Sequence, residues 1–341
     1  MDTSNRSVLF GFLLAILLFI AYEIRTSLLI IYVSCIFAIV LSPSVQWVHR
    51  LKIIRWHPSR GAAILLIVTA AFLAFTILFL FGLPPVISDI QQLLTRLPQE
   101  LSSFGERIRH IPFLNKIDQG KIEAYTTSVI SGVPAILGSI ASGVASFFGI
   151  AVLTAYLILE GESVFSWGLA LLPPDKRNRL KPVLISAAGR MRRWLVGQAF
   201  LMLILGASSV IVFGMLGIRY FYMLGVFAGL ANFIPFLGPI LTVILAGLVA
   251  AFDSWGKLIG VLVFYFAYQQ VENAFFTPKI MQSQVHLSAS AVLIALLIGA
   301  QLAGIPGAMM AVPTAVLASV LIDAFVIERH AQKQDSPEVG S

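Results

Sequence analysis

The sequence predicts an all-α, polytopic integral membrane protein with about eight transmembrane segments and two broken or re-entrant hairpins in its C-terminal half. Three observations predict it. Of 341 residues, 58% are hydrophobic and only 11% charged, where a soluble domain carries about 25% charge; the mean hydropathy is +0.92. Apolar runs recur at 7–22, 26–45, 61–83, 133–159, 197–217, 220–252, 255–276 and 288–327, and about 20 apolar residues cross a bilayer core. Two of those runs, 220–252 and 288–327, carry internal prolines and have lengths that do not suit a simple crossing.

The N-terminal scaffold, 1–83, comes first. Arg6 and an apolar run imitate a signal peptide, but no small-residue cleavage site follows, so the run reads as a retained span. Only Glu23 and Arg25 separate it from the second run, which predicts a tight antiparallel hairpin. The loop after that carries Arg50, Lys52, Arg55 and Arg60 without an acid, a cytoplasmic signal that places the N-terminus inside. Pro84-Pro85 is expected to end the third span. The insert 84–131 balances five acids with five bases, and its Ile87, Ile90, Leu93, Leu94 and Leu97 fall at helical spacing. It reads as an amphipathic extracytoplasmic subdomain whose apolar face packs on the spans.

A span at 132–160 then returns the chain to the inside. The connector 161–196 agrees, with Lys176, Arg177, Arg179, Lys181, Arg190, Arg192 and Arg193 against few acids. Within it, 182–196 reads as a basic amphipathic helix whose Trp194 suits the inner leaflet. The region 197–328 contains both unusual runs. One is interrupted at 232–239 by Asn232-Phe233-Ile234-Pro235-Phe236-Leu237-Gly238-Pro239, the other at 304–313 by Gly304-Ile305-Pro306-Gly307 and then Pro313. Proline removes backbone donors and breaks helices, and broken backbone at membrane depth belongs where it is buried or lines a cavity. Paired interruptions of this kind point to a transporter's binding site. The polar tail, 329–341, completes the chain.

Between the breaks lie Gln269, Gln270, Glu272 and Asn273. Gln269, Glu272 and Asn273 share a helical face while Gln270 points elsewhere. Glu272 is the acid most deeply set in apolar sequence, and a carboxylate there should face a cavity or a partner. Asp323 ends the last run and is a weaker candidate; Arg219 and Asp253 sit at run boundaries as anchors. Gly225-x-x-x-Gly229 and Gly256-x-x-x-Gly260 match the small-residue packing pattern. Enzyme signatures are missing: there is no metalloprotease, nucleophile-elbow or phosphate-loop motif. The single cysteine, Cys35, and five scattered histidines offer no metal spacing, so no cofactor or metal is expected. The net charge of +7 is orientation charge in the loops and implies no nucleic-acid partner. Without an ATP site, transport would be secondary or passive.

These residues carry a resemblance. Three spans, a polar insert, Ile234-Pro235-Phe236-Leu237-Gly238-Pro239, then Gln270-x-Glu272 followed by Pro278-Lys279-Ile280-Met281, Val285 and Leu287, and a terminal Gly304-x-x-Gly307 with Pro313, together resemble the autoinducer-2 exporter family, also described as PerM-type permeases. Pro235, Gly238, Pro239, Gln270, Glu272 and Pro278 match its motif positions. The resemblance implies an inner-membrane transporter of about eight spans, without ATPase activity, assembled as a homo-oligomer, a pentamer in the family, with its C-terminus cytoplasmic. Export of autoinducer-2, a small polar solute, is the function it implies first; the residues themselves suggest a site between the two broken segments, lined by Asn232, Gln269, Glu272 and Asn273. Sodium/proton antiport at Glu272 is the alternative, and a membrane scaffold recruiting partners through the insert is the third reading.

Overall fold

The computed structural model describes residues 3–50, 59–108, 119–276, 278 and 288–323, and the regular structure in them is helical throughout. Lys52 and Arg55 of the basic loop, the Lys279–Leu287 part of the family motif and the 329–341 tail lie outside the described residues.

Helix α1 (Thr3–Glu23) and helix α2 (Arg25–Arg50) are joined by helical hydrogen bonds, Ile24 N–H to the Ile20 carbonyl and Leu28 N–H to the Ile24 carbonyl, both 3.0 Å. The antiparallel hairpin expected at Glu23–Arg25 is therefore a helical junction. No proline or glycine interrupts the backbone there, and the Arg25 guanidinium lies 4.2 Å over the Tyr22 ring, one turn back. Helix α3 (Arg60–Ile77) passes through a π turn (Leu78–Gly82) into α4 (Leu83–Ile108). Pro84-Pro85 thus widens the helix rather than ending it. Proline cannot donate to the carbonyl four residues back, and a π turn just before the pair absorbs the mismatch.

Helix α5 (Gln119–Ala170) runs for 52 residues and α6 (Pro174–Met215) for 42, both longer than a core of about 30 Å requires. The basic helix expected at 182–196 lies within α6, continuous with the apolar stretch that follows. Three shorter pieces come next: α7 (Phe221–Ala231), α8 (Leu237–Asp253) and α9 (Trp255–Val271), the last running into a second π turn (Glu272–Phe276). Helix α10 (Ala289–Ile322) folds back on itself at Ala303 and Gly304, whose φ values are −145° and 62°. A Cβ on Gly307 would overlap the Gly299 carbonyl, although eight residues of straight helix span about 12 Å. The chain reverses between them.

The described helices long and apolar enough to cross a bilayer lie at Arg25–Pro43, Ser146–Ala170, Pro174–Met215 and Ser290–Ile322, and the reversal leaves the last as two arms of about 21 and 27 Å. Large apolar side chains, among them Leu203, Ile211, Val263 and Phe266, stand exposed on the outer faces of α6 and α9. Water would not tolerate so much exposed apolar surface; lipid does. The chain is a helical membrane protein.

Contacts divide it into two compact units, 1–68 with 146–192 and 286–341, and 69–145 with 193–285. The expected C-terminal region, 197–328, is therefore split, with one break in each unit. In the first unit, Ala38 and Val45 of α2 pack with Ala63, Ile64 and Ile158. The buried Ser34 hydroxyl donates to Ile30 O at 2.7 Å and to Ile150 O at 3.4 Å, while Thr154 Oγ1 donates to Ser34 O at 3.4 Å. Tyr32 and Thr314 share a hydroxyl bond of 2.8 Å that ties α2 to α10. In the second unit, Leu205, Phe213, Leu224, Ala228, Ala246, Val261 and Tyr265 form the core, and Val86, Ile90 and Leu93 of α4 pack against it. The insert helix is thus a structural part of this unit, and Ile90 and Leu93 belong to the face expected to pack.

Candidate functional site

The break between α7 and α8 spans residues 232–236. Its sequence explains it locally. Pro235 has no N–H to give, and Pro239 falls in the first turn of α8, where that loss is harmless. Phe236 carries a positive φ of 65°, a conformation that a bulky side chain adopts only when its surroundings impose it. The imposition is visible at Gly238, where any Cβ would overlap the Ala231 carbonyl. The start of α8 lies directly against the end of α7, so glycine is required at that contact. Tyr220, just before α7, has a φ of 61°; a positive φ therefore precedes each of the two half-helices, α7 and α8.

The break is held by α6. Along one face of that helix, Trp194, Gln198, Leu201, Leu205 and Ser209 are all buried, at the spacing of a helical stripe. Gln198 Nε2 donates to the Asn232 carbonyl at 2.5 Å. The Trp194 ring meets Phe233 edge-on, with centroids 6.2 Å apart. Trp194 is only 3% exposed, so it is not the leaflet anchor expected from its basic neighbours; it packs on the broken segment. One turn further along α6, the Leu201 carbonyl accepts from the Tyr268 hydroxyl at 3.5 Å, and that hydroxyl also neighbours the Glu272 carboxyl. A single turn of α6 therefore touches the break on one side and the end of α9 on the other.

Two polar atoms next to this turn have no partner. Asn232 Nδ2 and Glu272 Oε2 are both buried and unbonded, a condition that costs about 1–3 kcal/mol for a neutral group and more for a charged one. Glu272 opens the second π turn, and such turns recur at functional sites. Gln269 Nε2 donates to Asn273 Oδ1 at 3.3 Å on the expected face. Gln270 and Asn273 are exposed, Gln269, Pro235, Pro239 and Pro278 are half-buried, and Gly238 is buried. Deeper in the core, the Tyr265 hydroxyl faces those of Ser209 and Thr242, yet neither Tyr265 nor Ser209 makes an aligned bond.

In the other unit, Gly304 and Pro306 are exposed at the reversal, and Gly307 and Pro313 are buried on the second arm. Pro313 interrupts the ladder of that arm, and the Thr314 hydroxyl bonds Met310 O at 2.7 Å beside it. The candidate residues therefore fall into two groups, one in each unit. Gln198, Trp194 and Tyr268 were not among them. Tyr268 stands one turn before Glu272 and was open to the same periodicity argument; Gln198 sits in an ordinary span with nothing local to mark it.

The architecture defines a class: a helical membrane protein in which a broken helix and a π turn hold buried polar groups. Residues 10–327 match the AI-2E transporter family, and the chain belongs to it. Two relatives named "Putative transport protein" are similar over most of their length. They are sll0060 of Synechocystis sp., 25% identical over 91% of this chain and 92% of its own, and YrrI of Bacillus subtilis, 26% identical over 89% and 88%. The AI-2 transport protein TqsA of Escherichia coli is 21% identical over 93% of this chain and 91% of its own.

Proposed function

We propose that this protein is a secondary transporter that exports a small polar solute of the autoinducer-2 type across the inner membrane. One observation carries the reading: the orphaned Asn232 amide and Glu272 carboxylate oxygen flank the same turn of α6. The amide offers a donor and the carboxylate an acceptor. A solute hydroxyl both accepts and donates, so a hydroxylated molecule would satisfy both. Depth favours this. Helix α7 spans about 16 Å and α9 about 25 Å, both shorter than a hydrocarbon core of about 30 Å, so helices that start at the membrane surface would end within it and carry both groups there. Gln269, Asn273, Pro235, Gly238, Pro239, Gln270 and Pro278 would complete the surroundings and the hinge.

The name of TqsA supplies the substrate class, and the family supplies transport. The α10 reversal at Gly304, with Pro306, Gly307 and Pro313, is proposed as a second half-depth hairpin of the same machine. We place the basic half of α6 in the cytoplasm and the α6–α7 turn outside, with a homo-oligomer as the working assembly. The test is counterflow of labelled autoinducer-2 into proteoliposomes. Uptake above empty vesicles is expected; its absence with a sodium-dependent proton flux would replace export by antiport. That second reading draws on the same orphaned carboxylate oxygen of Glu272, which could carry a proton or a cation.

A further inference from the structure

Helix α4 takes hold of the second unit where the broken helix begins. Asp89, Leu93, Arg96 and Glu100 form one stripe along three turns of α4, at i, i+4, i+7 and i+11. Leu93 packs on the core. At one end of the stripe, an Asp89 carboxylate oxygen accepts the Met223 N–H at 3.4 Å. Met223 is the third residue of α7, one of the N–H groups a helix cannot satisfy internally. The residue preceding α7, Tyr220, offers no side-chain cap. Asp89 supplies the missing cap from another helix. About 16 Å along, Glu100 pairs with Arg219 at 2.6 Å.

Arg219 is tied further. Its second nitrogen lies 3.6 Å from Asp253, which also binds Lys257 at 2.9 Å, and Lys257 Nζ donates to the Gly217 carbonyl at 2.5 Å. The insert helix, the α6–α7 turn and the α8–α9 turn are thereby bolted into one cluster around a small open pocket lined by Leu93, Arg96, Glu100, Arg219 and Asp253.

We propose that α4 is the element that fixes the depth of the broken segment, with Asp89 and Glu100 as positioning residues for the transport site. The far end of α7 is Asn232, so a displacement at Met223 travels down an 11-residue rod to the break. The inference rests on the reading of that break as the transport site. It also gives Asp89 and Glu100 partners within this chain rather than on a recruited one.

The experiment is amide exchange on the full chain in nanodiscs, read over residues 218–231, with α10 as an internal control. Glu100→Ala and Asp89→Ala should each raise exchange across the start of α7 by about tenfold and leave α10 unchanged. Glu100→Gln, which keeps an acceptor for Arg219 without disturbing its Asp253 contact, should stay nearer wild type than Glu100→Ala, and Asp89→Asn, which keeps an acceptor, nearer than Asp89→Ala. The clamp is overturned if α7 exchanges at the wild-type rate in the alanine variants, or if neither amide variant is better than its alanine counterpart. Solute counterflow on the same variants separates the two readings. Altered α7 exchange with no solute movement even in wild type leaves the clamp standing and removes the function.

Discussion

Glu272 carries the sharpest residue-scale test. Glu272→Gln keeps the shape of the side chain and removes its charge, so the orphaned oxygen becomes a neutral acceptor. If that carboxylate binds solute or moves a proton, proteoliposome transport should fall about tenfold or more, and its dependence on pH should flatten. Unchanged rate and pH profile would remove Glu272 from the mechanism. Close packing sets a second test. A Cβ on Gly225 would lie within 2.9 Å of the Val210 backbone, whereas one on Gly256 meets nothing nearer than Ser254 Oγ at 4.0 Å. Gly225→Val should therefore lower stability by about 1–3 kcal/mol while Gly256→Ala changes little, read by thermal unfolding in detergent. Equal effects would mean that the two small-residue patterns are not distinguished by packing. From sequence they were identical, because the pattern records small residues and not what faces them.

At the scale of elements, α4 makes a prediction about acid. Burial holds the Asp89 carboxyl above the usual carboxylate range, against the pull of the Met223 N–H that stabilises its charge. No charged side chain opposes or supports it from α7, whose titratable residue is Tyr222, nor from the Leu78–Gly82 turn; α8 brings Asp253 at its far end. A carboxyl raised in the docked state binds its proton more readily there than when free. Its contribution to docking is present below the ordinary value of about 4 and is lost as pH rises through the raised one. Acidification should hence tighten α4 on α7. The difference in α7 exchange between wild type and Asp89→Asn, corrected for intrinsic chemistry, should shift toward greater protection of wild type as pH falls from about 7.5 to 5. A shift the other way would show that the ionised form holds the helix. The same helix marks how far the sequence could be read. Pro235, Gly238 and Gly304 announced interruptions because glycine and proline act on their own backbone. Pro84-Pro85 misled for the same reason: the backbone had a π turn available as well as a stop. Gln198 and Trp194 act through a partner brought close only by folding, and Trp194 beside arginines gave no hint that Phe233 would cover it.

For the whole molecule, the ion pairs constrain sidedness independently of the basic-residue rule. Glu100, Arg219, Asp253 and Lys257 are bonded to one another, so α4, the α6–α7 turn and the α8–α9 turn must share one side of the membrane. Helix α6, 42 residues long, reaches that side at Met215 and begins at Pro174. Its first half carries Lys176, Arg177, Arg179 and Lys181, and basic residues stay with the cytoplasm. The ion pairs fix which segments share a side; under the proposal that the apolar half of α6 crosses, the charge bias would put the two ends of that helix on opposite sides. In a Cys35→Ala background, cysteines placed at Arg96 and Ser254 should react with a membrane-impermeant maleimide in intact spheroplasts, and one at Asp175 only after permeabilisation. Labelling of Arg96→Cys and Ser254→Cys from different sides would contradict the ion pairs. Labelling of all three from outside would instead mean that the apolar half of α6 does not cross, and the depth assigned to Asn232 and Glu272 would go with it.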